Sequence, residues 1–261
     1  MTVGMSSASF YGQGETEDQA ALLRDFPLDV CEVFLQTRSE YSSAFGALVR
    51  ERLAGLPCVS VHPKGGTQFE LDLFGRSRRQ TEDAMALFRQ VCEAGEALGA
   101  RYYVFHGPFS VSGRLRAGQV FRLPERVARM RAIAADHGIE MLWENVCWCV
   151  LREPEDVREL AALLPEQRFV LDVKQAYRAG SDPFALLEAM GDRVRHVHAL
   201  DVDGSGQLCL PGQGVTDWRA LMRELRARGY GGAVILEPYN WQARDRDALR
   251  RSLDFLREAG M

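Results

Sequence analysis

The chain has 261 residues, 46% of them hydrophobic and 26% charged, with a formal net charge of −4. That length and balance exclude wholesale disorder and suit one domain over residues 1–261, while the slightly acidic sum argues against a nucleic-acid partner. No apolar run approaches the ~18 uncharged residues of a membrane span, and the opening MTVGMSSASFYG lacks the basic start and apolar run of a secretion signal. Cys31, Cys58, Cys92, Cys147, Cys149 and Cys209 form no CxxC pair and mostly sit in apolar runs. Buried thiols in a reducing compartment are expected, hence a cytoplasmic location.

In chain order, eight short apolar runs read as strands: TVGMSSAS, VCEVFLQ, CVSVHP, YYVFHGP, IEMLWEN, FVLDV, VRHVHAL and AVILEP. Most are apolar almost throughout, as parallel strands covered on both faces are. Between them lie segments such as SRRQTEDAMALFRQVCEAGEALG and PEDVRELAALL, whose apolar residues recur three and four apart and predict helices. Gly138 and Gly229 stand where helix ends favour glycine; Thr216, and Asp182 with Pro183 next, stand where N-caps belong. Eight strand–helix units in this length predict a single-domain (β/α)8 TIM barrel. An open doubly wound sheet is the runner-up, but no GxGxxG follows the first run. The longest loops follow runs three, four and seven (KGGTQFELDLFG, FSVSGRLRAGQVF, DVDGSGQLCLPGQG), on the face where barrel enzymes keep their chemistry.

Six of the eight runs end near a group able to bind a metal: His62, His106, Glu144, Asp172, His198 and Glu237. A single strand-end carboxylate is ordinarily a helix cap or half of an ion pair; six such groups on one rim need another explanation. Alternation along a strand puts Asp172 and Lys174 on one face, as it does His62 with Lys64 and His196 with His198. His196, one layer lower, is expected to be a hydrogen-bonded core histidine, and His137 a helix-end residue. Only two of the 32 basic residues are lysines, Lys64 and Lys174, and both fall just past strand ends on this face. An ammonium is a compact charge whose proton desolvation can loosen, whereas guanidinium stays charged. In the basic fourth loop, Arg114 and Arg116 would suit a phosphate or carboxylate on a substrate. Carboxylates with imidazole make a hard, oxygen-rich set for Mn²⁺, Mg²⁺ or Co²⁺, with Zn²⁺ also accommodated. Neither GxSxG nor GxxxxGK[ST] occurs.

The stretches LWENV, LDVKQAYRAG, HVHALD with LPGQGVTDW following, and VILEPY resemble the xylose-isomerase-like TIM-barrel superfamily. That grouping holds sugar and sugar-phosphate isomerases and epimerases, inosose dehydratases and apurinic endonucleases. The resemblance implies that Glu144, Asp172, His198 and Glu237 hold one divalent ion, Mn²⁺ foremost. It implies proton transfer on a small carbohydrate, neutral or anionic, through an enediolate. Glu144 and Glu237 would take and return the proton with help from Lys174, and His62, Lys64, His106, Gln175 and Arg114 would contact substrate. One departure matters: where many members read Asp-x-x-His, this chain has Asp172 followed three residues later by Gln175. DVDGSG after the seventh run also offers no Asp-x-His, so a trinuclear endonuclease site is incomplete, while His62 and His106 leave a dinuclear one open. The alternatives are an inosose-dehydratase-like lyase starting from the same enolate, an endonuclease-like phosphodiesterase, and a sugar-binding barrel without turnover. No nucleic-acid or membrane partner is expected, and the oligomeric state stays open.

Overall fold

Eight parallel strands close into a barrel: Thr2–Ser6 (β1), Val30–Leu35 (β2), Cys58–Pro63 (β3), Tyr102–Phe105 (β4), Glu140–Glu144 (β5), Arg168–Asp172 (β6), Val194–Ala199 (β7) and Ala233–Leu236 (β10). The computed structural model describes residues 1–65, 68–110, 114–239 and 241–261. Each predicted run forms one barrel strand, and β1 pairs with β10 to close the ring, as a (β/α)8 fold requires. Helices cover the outside, among them α1 (Thr16–Leu22), α2 (Ser43–Leu53), α4 (Arg78–Leu98), α5 (Leu123–Asp136), α6 (Pro154–Leu163), α8 (Pro183–Met190), α9 (Trp218–Ala227) and α10 (Arg246–Ala259). No helix among the described residues is long and apolar enough to cross a membrane, and the six cysteines are free.

Alternation along the strands divides two layers. Outward residues such as Cys31, Val33, Leu35, Phe105 and Trp143 join the large apolar layer under the helices. Inward residues form a small apolar floor, Tyr102, Val104, Leu142 and Val170. Above that floor the same inward positions turn polar, because the next inward residue after Val104 is His106, after Leu142 is Glu144, and after Val170 is Asp172.

The predicted punctuation holds with one correction. Gly138 follows α5 at φ 67° and Gly229 follows α9 at φ 77°, and Asp182 caps α8 by accepting from the Phe184 amide at 3.0 Å. Thr216 is not an N-cap: Asp217 caps α9, accepting from the Ala220 amide at 2.9 Å. Thr216 serves the loop after β7 instead. There Asp201–Val202 (β8) and Leu208–Cys209 (β9) form an antiparallel ribbon, and the fully buried Asp201 collects four donors. These are the Val202 amide (2.8 Å), the Thr216 amide (3.3 Å) and hydroxyl (2.6 Å), and Trp218 Nε1 (2.9 Å). The HALD and LPGQGVTDW stretches therefore meet to close this loop. Asp201→Ala would orphan several buried donors, so it should cost about 2–4 kcal/mol in thermal or urea unfolding. A variant as stable as the parent would refute that role.

The other two long loops are only partly described. The third contains the short helix Gln68–Asp72 (α3), with residues 66–67 outside the described residues; so are 111–113 of the fourth.

Candidate active site

Strand register assembles the rim. Asp172 lies beside His198 across β6 and β7, two residue pairs above Val170 and His196; Glu32 lies beside Ser60 across β2 and β3, below Phe34 and His62. The inward side chains consequently converge. Ligand atoms of Glu144, Asp172, His198 and Glu237 lie within 4.8 Å of one another, all in buried residues. His198 Nδ1 is 2.9 Å from Glu144 Oε1, 3.6 Å from Glu237 Oε2 and 3.7 Å from Asp172 Oδ2. His62 and His106 adjoin this set, their Nε2 atoms 2.8 Å apart, with His106 Nε2 also 3.2 Å from Glu144 Oε2.

Lys174 reaches the cluster by a route other than the one expected. Strand β6 stops at Asp172, and the helix Val173–Arg178 (α7) begins at once, so strand alternation does not place the lysine. Asp172 Oδ1 caps α7 by accepting from the Gln175 amide at 2.7 Å, which frees Oδ2 to face the cluster. Lys174 then points inward from the first turn, with Nζ 2.7 Å from Glu237 Oε2 and 3.4 Å from Asp172 Oδ2.

Four carboxylates (Glu32, Glu144, Asp172 and Glu237) thus share a buried space with one ammonium, Lys174. Burial alone would raise the Glu144 carboxyl, but the imidazoles of His198 and His106 hold it well below the usual range. Burial likewise opposes ionisation of Glu237, which Lys174 and His198 nevertheless bring down to about 2. Asp172 is raised, because burial outweighs the attraction of Lys174. The imidazoles respond in the opposite sense: burial would lower His106, yet Glu144 and Glu70 push it up to about 10. Two buried acceptors, Glu144 Oε2 and Asp172 Oδ2, receive no hydrogen bond at all. Carboxylate oxygens without a hydrogen bond, converging with an imidazole nitrogen in a buried space, fit a divalent cation of the hard-to-borderline kind.

The cluster floors a cavity of about 330 Å³. Lys64 lines it from the exposed rim, its Nζ 3.0 Å from the Tyr11 hydroxyl. Gln175 also lines it, and its side-chain oxygen accepts from the Cys147 amide at 3.4 Å. Arg114 is exposed and does not belong to the lining; Arg116 is occupied by Asp156 and Glu153 at the start of α6. Among the described residues, this loop therefore contributes no guanidinium to the cavity lining. Tyr11, Phe34, Trp148 and Tyr239 form the apolar walls. Behind His106, Gly107 stands at φ 84° with any Cβ only 2.4 Å from the Trp143 ring, which lets that outward-facing indole close in and donate to the His106 carbonyl at 3.2 Å.

Two buried carboxylates escaped the sequence reading. Glu32 accepts hydrogen bonds beneath the cluster, and Glu70 on α3 stands 3.7 Å from His106 Nδ1. Glu32 did carry a signal. A glutamate inside VCEVFLQ cannot face the apolar helix layer, so it must face the barrel interior.

Fold and site together define a barrel with a carboxylate–imidazole cluster at the C-terminal mouth, suited to a divalent ion and a small polar ligand. The chain belongs to the xylose isomerase-like TIM barrel family, which it matches over residues 20–259. It is 29% identical to a fructoselysine 3-epimerase of Escherichia coli O157:H7 over 122 residues, a match spanning 44% of each chain. The D-psicose 3-epimerase of Clostridium cellulolyticum H10, solved with D-tagatose, superposes with a TM-score of 0.79 at 15% identity, covering 100% of this chain and 99% of that one. An IOLI protein solved with a zinc atom gives a TM-score of 0.75 at 17% identity, over 99% of this chain and 96% of that one.

Proposed function

We propose that this protein is a divalent-metal-dependent sugar epimerase or isomerase that moves a proton at the carbon beside a carbonyl. The observation carrying this reading is that Glu144 and Glu237, from strands on either side of β6 and β7, bring carboxylate oxygens within 4.8 Å of each other beneath one cavity. Likeness to sugar 3-epimerases supports the substrate class. Glu144, Asp172, His198 and Glu237 would hold the ion, Mn²⁺ foremost, and its contribution there would be Lewis-acid polarisation of a substrate carbonyl.

The chain's own groups do the rest. One of Glu144 and Glu237 takes the proton and the other returns one to the opposite face or the adjacent carbon, with an enediolate between. Lys174, 2.7 Å from Glu237, steadies negative charge as it builds on the substrate oxygen. His62 and His106 present ring nitrogens to the substrate hydroxyls, while Phe34, Trp148 and Tyr239 keep water out. The substrate is a small carbohydrate, and Lys64 at the rim suits an anionic or strongly accepting substituent.

The test is solvent exchange. The protein is loaded with Mn²⁺, Co²⁺ or Zn²⁺ and incubated in D₂O with a panel of ketohexoses, free and substituted. Deuterium should enter at the carbon next to the carbonyl, with the epimer or isomer appearing. A metal-loaded protein that exchanges no carbon-bound hydrogen on any of them would overturn the reading.

A further inference from the structure

The proposed ion accounts for Glu144, Asp172, His198 and Glu237 and leaves Glu32 without a task. Glu32 is fully buried on β2, one layer below the cluster, and is surrounded by donors. Its Oε2 accepts from Ser60 Oγ (2.8 Å), His196 Nε2 (3.1 Å) and His198 Nε2 (3.1 Å); its Oε1 faces His62 Nδ1 at 3.3 Å. Three donors converge on Oε2 and one faces Oε1, so both oxygens are engaged as acceptors. Because ionised Glu32 can only accept, each of the three ring nitrogens it faces must carry a proton.

We propose that Glu32 is a positioning residue that sets the tautomer and ring orientation of His198 and His62, and so commits His198 to offer Nδ1 to the metal. The two nitrogens of His198 divide cleanly: Nε2 is held from below by Glu32, and Nδ1 faces Glu144, Asp172 and Glu237 at 2.9, 3.7 and 3.6 Å. His62 also divides, with Nδ1 between Glu32 at 3.3 Å and Glu237 at 3.4 Å and Nε2 turned to His106 at 2.8 Å. His196 shows the consequence of being held at one end only. Its Nε2 donates to Glu32 and its buried Nδ1 has no partner, as in a neutral ring protonated at Nε2. Carboxylates behind metal-binding imidazoles commonly act in this way, and losing one weakens metal binding roughly 10–100-fold.

A carboxylate is required because an amide cannot accept at both ends. In Glu32→Gln, an oxygen kept toward His198, His196 and Ser60 would turn the NH₂ toward His62 Nδ1. The His62 Nδ1 proton would then lose Glu32 and fall to Glu237 Oε1, 3.4 Å away, turning the ring and altering its proton pattern. The disturbance would reach His106 through His62, and His198, a proposed ligand, would lose the charged acceptor behind its Nε2.

This inference rests on the metal reading above, and the experiment separates the two. Long-range ¹H–¹⁵N spectra of the histidines are recorded on the wild type, metal-free and loaded with Zn²⁺. A protonated Nε2 on His198 in both states, with Nδ1 carrying the zinc-induced shift, is the expected result. An unprotonated His198 Nε2 in the metal-free protein, or zinc on Nε2, overturns the role of Glu32 whatever any variant does. Failure of zinc to bind the wild type instead overturns the metal reading alone, since the metal-free spectrum still tests the tautomer. For folded Glu32→Gln, chelator competition should show zinc binding 10–100-fold weaker and a changed His62 proton pattern. Unchanged affinity and an unchanged His62 spectrum would also overturn it.

Discussion

Replacing Glu237 by Gln is expected to lower kcat for the exchange reaction by about 10²–10⁴-fold while leaving the barrel folded. Glu237 is nearly buried at the end of β10, with Oε2 on Lys174 and Oε1 3.4 Å from His62 Nδ1. It is ionised throughout the physiological range, so the amide removes a full charge at constant volume. The amide cannot take a proton from carbon, and Lys174 is left with Asp172 as its one carboxylate neighbour. Glu144→Gln should produce a similar loss. If the two carboxylates work as one acid–base unit, the double variant will be scarcely slower than either single one. Steady-state kinetics with deuterium wash-in would measure this, and a Glu237→Gln enzyme within threefold of the parent would remove Glu237 from the proton path.

The second large effect concerns Asp172, whose two oxygens have separate tasks. Oδ1 caps α7 through the Gln175 amide, and Oδ2 faces the cluster without a hydrogen bond. Asp172→Ala should abolish metal retention, measured as equivalents per chain by plasma mass spectrometry, and also cost about 1 kcal/mol for the lost cap. It leaves the buried Lys174 with Glu237 alone, which adds to that cost. Asp172→Asn keeps an oxygen for the cap, so it should lose the metal and retain most of the stability. A metal content near one per chain in both variants would mean that Asp172 is only a helix cap paired with a lysine.

Much of this protein was legible in its sequence because the barrel repeats one simple pattern. Eight apolar runs separated by helix-period segments admit few ways of burying both faces of every strand, and all eight runs became barrel strands. The rim was legible for a related reason. A polar residue at the end of an apolar run lies where the strand leaves the core, so His62, His106, Glu144, Asp172, His198 and Glu237 could be named from position alone. Lys174 reaches the cavity by a route that strand alternation does not give, because the sequence does not reveal that α7 starts one residue after Asp172. Thr216 was misassigned for want of its partner: the buried Asp201 that claims its hydroxyl lies 15 residues away.

What the sequence determined by itself is local. Strand and helix periods, the cap at Asp182, the glycines at 138 and 229, and the order of polar groups around the rim all depend on neighbours a few residues apart. What only the tertiary structure decided is which groups meet. Glu32 is separated from His196 by 164 residues and from His198 by 166, yet it holds both, because the closed barrel brings β2 and β7 to face one lumen. Arg114, in the loop after β4, is exposed and lies outside the cavity lining, which its place in the sequence does not reveal. Charge pairing acts over a few ångströms of space, whereas hydrophobic periodicity is written along the chain, and that difference separates what could be read from what had to be seen.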